Sequence, residues 1–153
     1  MNLKENTGWS GELTISVYNK GRLIERDTIK NMITDAGLNL IRNALYGDTV
    51  DCEINYIAVG DGNTAVSAAH TALVNETFRT AVTTQTKTST GVLDIVGWLL
   101  DSDGALTIEE VGIFAGGTAV KDSGTLIARV LWSRAKTALE SIKIARTDTL
   151  GRG

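Results

Sequence analysis

Proline is missing from the chain altogether. Its turns must therefore come from Gly, Asn and Asp, which tolerate the required backbone angles. Cys52 is the only cysteine, so no internal disulfide can form. Its ordinary reading is a small, half-buried thiol. His70 is the only histidine and sits in a polar, Ala-rich stretch. One His and one Cys cannot build a typical structural zinc site. With no Gly-x-Ser-x-Gly elbow there is no histidine-based hydrolytic triad either. No apolar run is long enough to span a bilayer, and residues 1–10 lack the apolar core of a signal peptide. Synthesis in the cytoplasm and no membrane partner are expected. Acidic residues number 18 against 15 basic ones, a net charge of −3, and no face is obviously basic. Nucleic acid is therefore not an expected partner.

What is present is an ordinary globular composition, 42% hydrophobic and 22% charged over 153 residues, the size of one domain. Residues 12–20 alternate, with Leu13, Ile15 and Val17 facing one way. That is the period of a half-buried strand. Asn19-Lys20-Gly21-Arg22 turns the chain into a returning strand over residues 23–29. Thr34 can cap a helix, with Asp35 in its first turn and Gly47 at its end. Leu38, Ile41 and Leu45 form its apolar stripe, which is expected to lie across a sheet. Further strands are read at residues 54–59, 78–88, 92–100, 106–114, 126–132 and 139–146, and a weak helical turn within 66–75. The expected fold is mainly β: an antiparallel, jelly-roll-like β-sandwich of about seven or eight strands with one α-helix packed on it. The division expected is a flexible arm over residues 1–10, a single domain over 11–146 and a flexible tail over 147–153.

Several enzyme-like patterns fail on inspection. Gly60-Asp61-Gly62-Asn63-Thr64-Ala65 fits a dinucleotide-binding fingerprint, but no long helix and no later carboxylate follow. Gly112 and Gly117 have phosphate-loop spacing, yet Thr118 stands where the lysine belongs. Asp101-x-Asp103-Gly104 has its glycine too early for a calcium loop, so a type I′ or related turn is expected. Glu109 and Glu110 are neighbours on a strand and point to opposite faces. One of them should point inward or into an interface and need a cation such as Arg129 or Arg79. No catalytic set, cofactor site or metal site is expected.

The pieces also form an ordered set. Residues 33–38 (Ile-Thr-Asp-Ala-Gly-Leu) open a helix, and 57–65 (Ile-Ala-Val-Gly-Asp-Gly-Asn-Thr-Ala) follow. Then come 71–76 (Thr-Ala-Leu-Val-Asn-Glu), Arg79, 108–114 (Ile-Glu-Glu-Val-Gly-Ile-Phe) and 126–129 (Leu-Ile-Ala-Arg). In this order they resemble the N-terminal, particle-attaching domain of phage tail-collar and tail-fibre proteins, over residues 33 to 146. Family fibres continue into a shaft and a receptor-binding tip. This chain has its own N-terminal hairpin instead. The resemblance implies a structural component of a tailed bacteriophage particle, made in the host cytoplasm and located in the virion. It would dock to other virion proteins in the tail, neck, collar or baseplate. A capsid decoration protein is the alternative within this class, and a glycan-binding β-sandwich the alternative outside it. A homo-oligomer is expected, and a trimer is compatible with either placement. Trp9, in its polar arm, and Arg146 and Arg152, in the tail, are the candidate partner contacts. Gly60 and Gly62 are expected to turn the chain sharply after a core strand. Asn75, Glu76 and Arg79 are expected to tie the long loop to the sheet, and Glu110 to hold an edge in register.

Overall fold

A computed structural model describes residues 8–152. Nine strands and one helix follow in chain order: β1 (Gly8–Asn19), β2 (Arg22–Asn31), α1 (Asp35–Tyr46), β3 (Ile54–Gly60), β4 (Glu76–Ala81), β5 (Thr84–Ser89), β6 (Val92–Leu99), β7 (Leu106–Ala115), β8 (Thr125–Lys136) and β9 (Glu140–Gly151). They form two antiparallel sheets: five strands in the order β2-β1-β9-β6-β5, and four in the order β4-β3-β7-β8. The expected β-sandwich with one helix is the observed architecture.

Alternation builds the core. Leu13, Ile15 and Val17 of β1, Ile95 and Leu99 of β6, and Ile142 and Ile144 of β9 are buried on the inner face of the larger sheet. Ile57 and Val59 of β3, Val111 and Ile113 of β7, and Ile127, Val130 and Trp132 of β8 meet them from the smaller one. One open side is closed by polar links from β2 to β8. The Trp132 indole N–H donates to Asp27 at 2.9 Å, and Arg134 pairs with Glu25 at 2.6 Å.

The single strand expected over residues 78–88 is two strands in different sheets, hence nine rather than eight. The Val82 N–H still donates to Asn55 on β3, while the Thr83 N–H donates to Val96 on β6. The chain therefore crosses from one sheet to the other between two residues. Val and Thr suit either sheet, so composition carries no mark of the crossing. No helix forms at residues 66–75, which hold one hydrogen-bonded turn, the His70 N–H donating to the Ser67 carbonyl at 3.2 Å. The turn expected at Asp101 is a single 3-10 turn, Asp101–Asp103, whose Asp103 carboxylate accepts from the Leu100 N–H at 2.7 Å.

The helix begins and ends as its caps require. Thr34 Oγ1 accepts from the Gly37 N–H at 3.0 Å, and Gly47 adopts φ 101°, a left-handed angle that favours glycine. Its buried face differs from the expected stripe. Gly37 and Leu40 are buried, whereas Leu38 and Leu45 face outward, Leu45 with 85% of its surface exposed. Thr34 decides this rotation. Its N–H donates to Ile127 of β8 and its hydroxyl to Leu126 of β8, so the helix enters with Gly37 pressed on Ile127.

The largest correction concerns the ends. Thr147–Gly151, expected to be a flexible tail, is the second half of β9 and pairs with β1 along Gly8–Glu12. Residues 8–10, expected to belong to an arm, are the start of β1. The rest of the expected arm, residues 1–7, and Gly153 lie outside the described residues.

Candidate docking site and the networks that hold it

The loop over residues 61–75 lies on the outer face of the smaller sheet. Leu73 packs there with Ala58, Phe114 and Leu126. A Cβ on Gly112 would come within 2.7 Å of Leu73, so the glycine makes room for this side chain. One buried carboxylate fixes the loop. Glu110 Oε1 accepts from the N–H groups of Gly62 (3.2 Å) and Asn75 (2.8 Å), and Oε2 from that of Val74 (3.0 Å). Arg129 of β8 supplies the countercharge at 2.6 Å, and both side chains are wholly buried. The guanidinium also donates to the Thr64 carbonyl at 2.7 Å. A buried charge is tolerated when it is paired and its remaining bonding positions are filled.

The cation for the inward-pointing glutamate is thus Arg129, and Arg79 belongs to another site. Glu109 bonds to the Ser133 hydroxyl on an exposed site. β7 is an inner strand of its sheet, so Glu110 fixes a loop rather than the edge expected of it. Gly60 and Gly62 are needed for close approach. A Cβ on Gly60 would lie 2.2 Å from the Asn75 carbonyl oxygen, and one on Gly62 would lie 2.4 Å from Val74 and 2.7 Å from Glu110. Asn75 joins this network through its N–H, and its side-chain amide donates to Asp61.

Glu76 and Arg79 hold a different segment from the one expected. Their doubly bonded ion pair, 2.8 Å at each contact, anchors the loop over residues 116–124. Arg79 donates to the carbonyls of Thr118 and Ser123, and the Asp122 N–H donates to Glu76. The guanidinium lies over Phe114, 4.7 Å from the ring centre, which adds a cation–π attraction.

Of the three residues expected to touch a partner, only Arg146 is wholly internal, while Trp9 is partly buried. Arg146 is fully buried and pairs with Asp148 through two contacts of 2.8 and 2.7 Å. With its amide oriented to satisfy both neighbours, Asn31 accepts from the same guanidinium at 2.7 Å. Trp9 donates its indole N–H to Asp148 at 2.8 Å and packs against the core. Arg152 is exposed.

The chain matches no family model, no curated protein and no solved structure.

Among the described residues, two adjoining apolar features near α1 are open to a neighbour. The first is the outward stripe of α1, Leu38 and Leu45, with Tyr46 beside it. The second is a cleft of about 140 Å³ where α1 meets the mouth of the sandwich, lined by Trp9, Leu40, Ile41, Cys52, Leu93 and Leu150 among others. Ile41 belongs to both, so helix stripe and cleft form one continuous surface. Sequence periodicity had found this stripe and assigned it to the core. The signal that could have corrected it is Gly37, whose missing side chain marks the side of closest packing.

Titration of carboxylates near the two ends of β9 gives a test of the packing. Asp94 titrates below its ordinary 3.8, first because the Thr147 hydroxyl donates to it and then because Thr88 does. Burial pushes the Glu140 carboxyl up, but the Thr137 N–H and the Arg134 guanidinium outweigh it, and it titrates below 4.5. A carboxyl depressed in the folded state contributes stability that is present above its unfolded value and lost as pH falls through the folded one. Thermal midpoints should therefore be level near neutral pH and fall once pH drops below about 4.5. Asp94→Asn should flatten the lower part of that fall. An unchanged acid limb in this variant would remove Asp94 from the account.

Proposed function

We propose that the chain is a non-enzymatic structural subunit of a tailed bacteriophage particle and works by docking to neighbouring virion proteins. The observation that carries this reading is a convergence. The residues of the tail-collar-like pattern are far apart in sequence: 57–65, 71–76, Arg79, 108–114 and 126–129. Gly60, Gly62, Asn75, Glu110 and Arg129 meet in one buried network, and Glu76, Arg79 and Phe114 meet in the site beside it. An ordered pattern that resolves into two adjacent loop-fixing devices is what a shared domain would leave behind. The apolar stripe of α1 and its adjoining cleft supply the contact surface, since an exposed apolar patch of this kind marks an interaction site. Many copies on a particle, each with a modest interface, bind firmly through effective concentration.

The test uses particles of the phage that encodes the chain. The chain should be found in purified virions by mass spectrometry and traced in a particle reconstruction. Many copies spread over the head would assign it to capsid decoration, and a few at one vertex to the tail, neck or baseplate. Leu45→Glu should leave the isolated domain within about 0.5 kcal/mol of its normal stability, because the side chain is exposed. The same change should strongly reduce incorporation into particles. Virions that lack the chain would end the proposal, and normal incorporation of Leu45→Glu would move the contact away from α1.

A further inference from the structure

The outer face of the five-stranded sheet lies away from α1 and takes no part in that docking. Its strand register sets Arg26 opposite Ser16, Ser16 opposite Lys143, and Lys143 opposite Trp98, a single row across four strands. Tyr18 stands one step further along β1, opposite Ser141. Strands β1 and β6 are separated by β9, yet the Tyr18 and Trp98 rings lean together, with centres 5.8 Å apart and planes tilted by 40°. Small Ser141 lets them meet. A half-exposed aromatic platform is thus built beside two cations.

Those cations are uncompensated. Among the described residues, neither Arg26 nor Lys143 forms an ion pair. Arg26 donates through Nε to the Ser16 hydroxyl at 3.1 Å, which orients the guanidinium on the sheet. The carboxylates of this face lie further along the strands. Glu12 is directly opposite Lys30, and Asp94 accepts from Thr147 and Thr88. Between the two zones the sheet presents hydroxyls, with Thr14 and Thr28 bonded to each other at 3.4 Å.

We propose that this face binds an acidic polysaccharide, a chain of sugars that carry carboxylates. An aromatic platform takes the apolar C–H face of a sugar ring, since such side chains join an apolar body to a polar setting. The guanidinium suits a carboxylate, with which it forms paired, charge-assisted hydrogen bonds. Serine and threonine hydroxyls both donate and accept, as sugar hydroxyls require. Aromatic and basic groups together also suit single-stranded nucleic acid. That reading is disfavoured because the face offers a single aromatic platform, Tyr18 with Trp98, whereas successive bases of a single strand stack on several.

The experiment titrates the full chain with polygalacturonate and with polysialic acid, using neutral dextran and a thymidine oligonucleotide for comparison. Tryptophan fluorescence and calorimetry are read together. Saturable binding of at least one acidic polymer is expected, with dextran at least tenfold weaker. The double variant R26Q/K143Q, at an exposed arginine and a partly buried lysine, should weaken binding at least tenfold while its thermal midpoint stays near that of the parent. Trp98→Phe keeps an aromatic platform and should abolish most of the fluorescence response without abolishing binding. Trp98 is half-buried, so R26Q/K143Q decides the matter if the tryptophan variant fails to fold. Binding to neither acidic polymer, equal binding in R26Q/K143Q, or tighter binding of dextran or the oligonucleotide would each overturn the proposal. None of these outcomes bears on incorporation into particles, so the two readings fail separately.

Discussion

Replacing Glu110 with alanine is expected to lower the free energy of unfolding by about 3–5 kcal/mol, the range seen when one partner of a buried ion pair is removed. The reasons add up in one place. Arg129 keeps its charge in a wholly buried position, and the N–H groups of Gly62, Val74 and Asn75 lose their acceptor. An unsatisfied buried donor costs about 1–3 kcal/mol on its own. In a domain of this size, the loss corresponds to a fall in thermal midpoint of roughly 6–20 °C. Glu110→Gln should recover little, because it puts an amide N–H2 group among donors. The double variant Glu110→Met, Arg129→Met removes the stranded charge and should recover part of the loss. It cannot recover all, since the three N–H groups remain without a partner. Urea unfolding of the parent, Glu110→Met, Arg129→Met and the double variant gives the coupling directly. The loop over residues 61–75 should become the first site of proteolytic cleavage in the single variants. A cost below about 1 kcal/mol for Glu110→Ala would mean that Glu110 is not the loop's anchor.

That network also shows what could be read from sequence. Strands whose apolar residues alternate, such as β1 with Leu13, Ile15 and Val17, declared themselves through a local period. So did the helix caps Thr34 and Gly47, because capping is local chemistry. The sequence also offered Arg129 and Arg79 as examples of a partner for the inward glutamate. It could not choose between them, because Arg129 reaches Glu110 through the register of β8 against β7, and a bulge at Ile108/Glu110 sets that register. The helix stripe failed for a related reason. Two overlapping apolar faces share Ile41, and tertiary contact of Gly37 with Ile127 selects the less obvious one. The crossing of the chain from β4 to β5 left no trace because Thr-rich strands suit either sheet. In each case the missing information was a contact between distant segments.

The same argument, applied to the end of the chain, leads to the second large effect. Removal of residues 147–153 is expected to abolish the cooperative unfolding transition rather than trim an idle tail. Thr147–Gly151 alternates as a strand should, but its inward position after Arg146 is Asp148, and a polar strand interior reads as a solvated run. In the fold, Asp148 is the countercharge of fully buried Arg146 and the acceptor for Trp9. Deleting it strands one charge, at about 3–5 kcal/mol. The same cut strips β1 of its partners along Gly8–Glu12 and β6 of those at Val92, Leu93 and Asp94. A domain with a total stability of about 5–15 kcal/mol has little left after both losses. Asp148→Asn isolates the electrostatic part: it keeps an acceptor for Trp9, leaves β9 paired, and should be destabilised yet still cooperative. Circular dichroism melts of the three proteins distinguish these states. If the shortened chain melted as sharply and as high as the parent, β9 would be dispensable beyond Arg146. The buried Arg146–Asp148 pair would then contribute nothing to holding the two termini together.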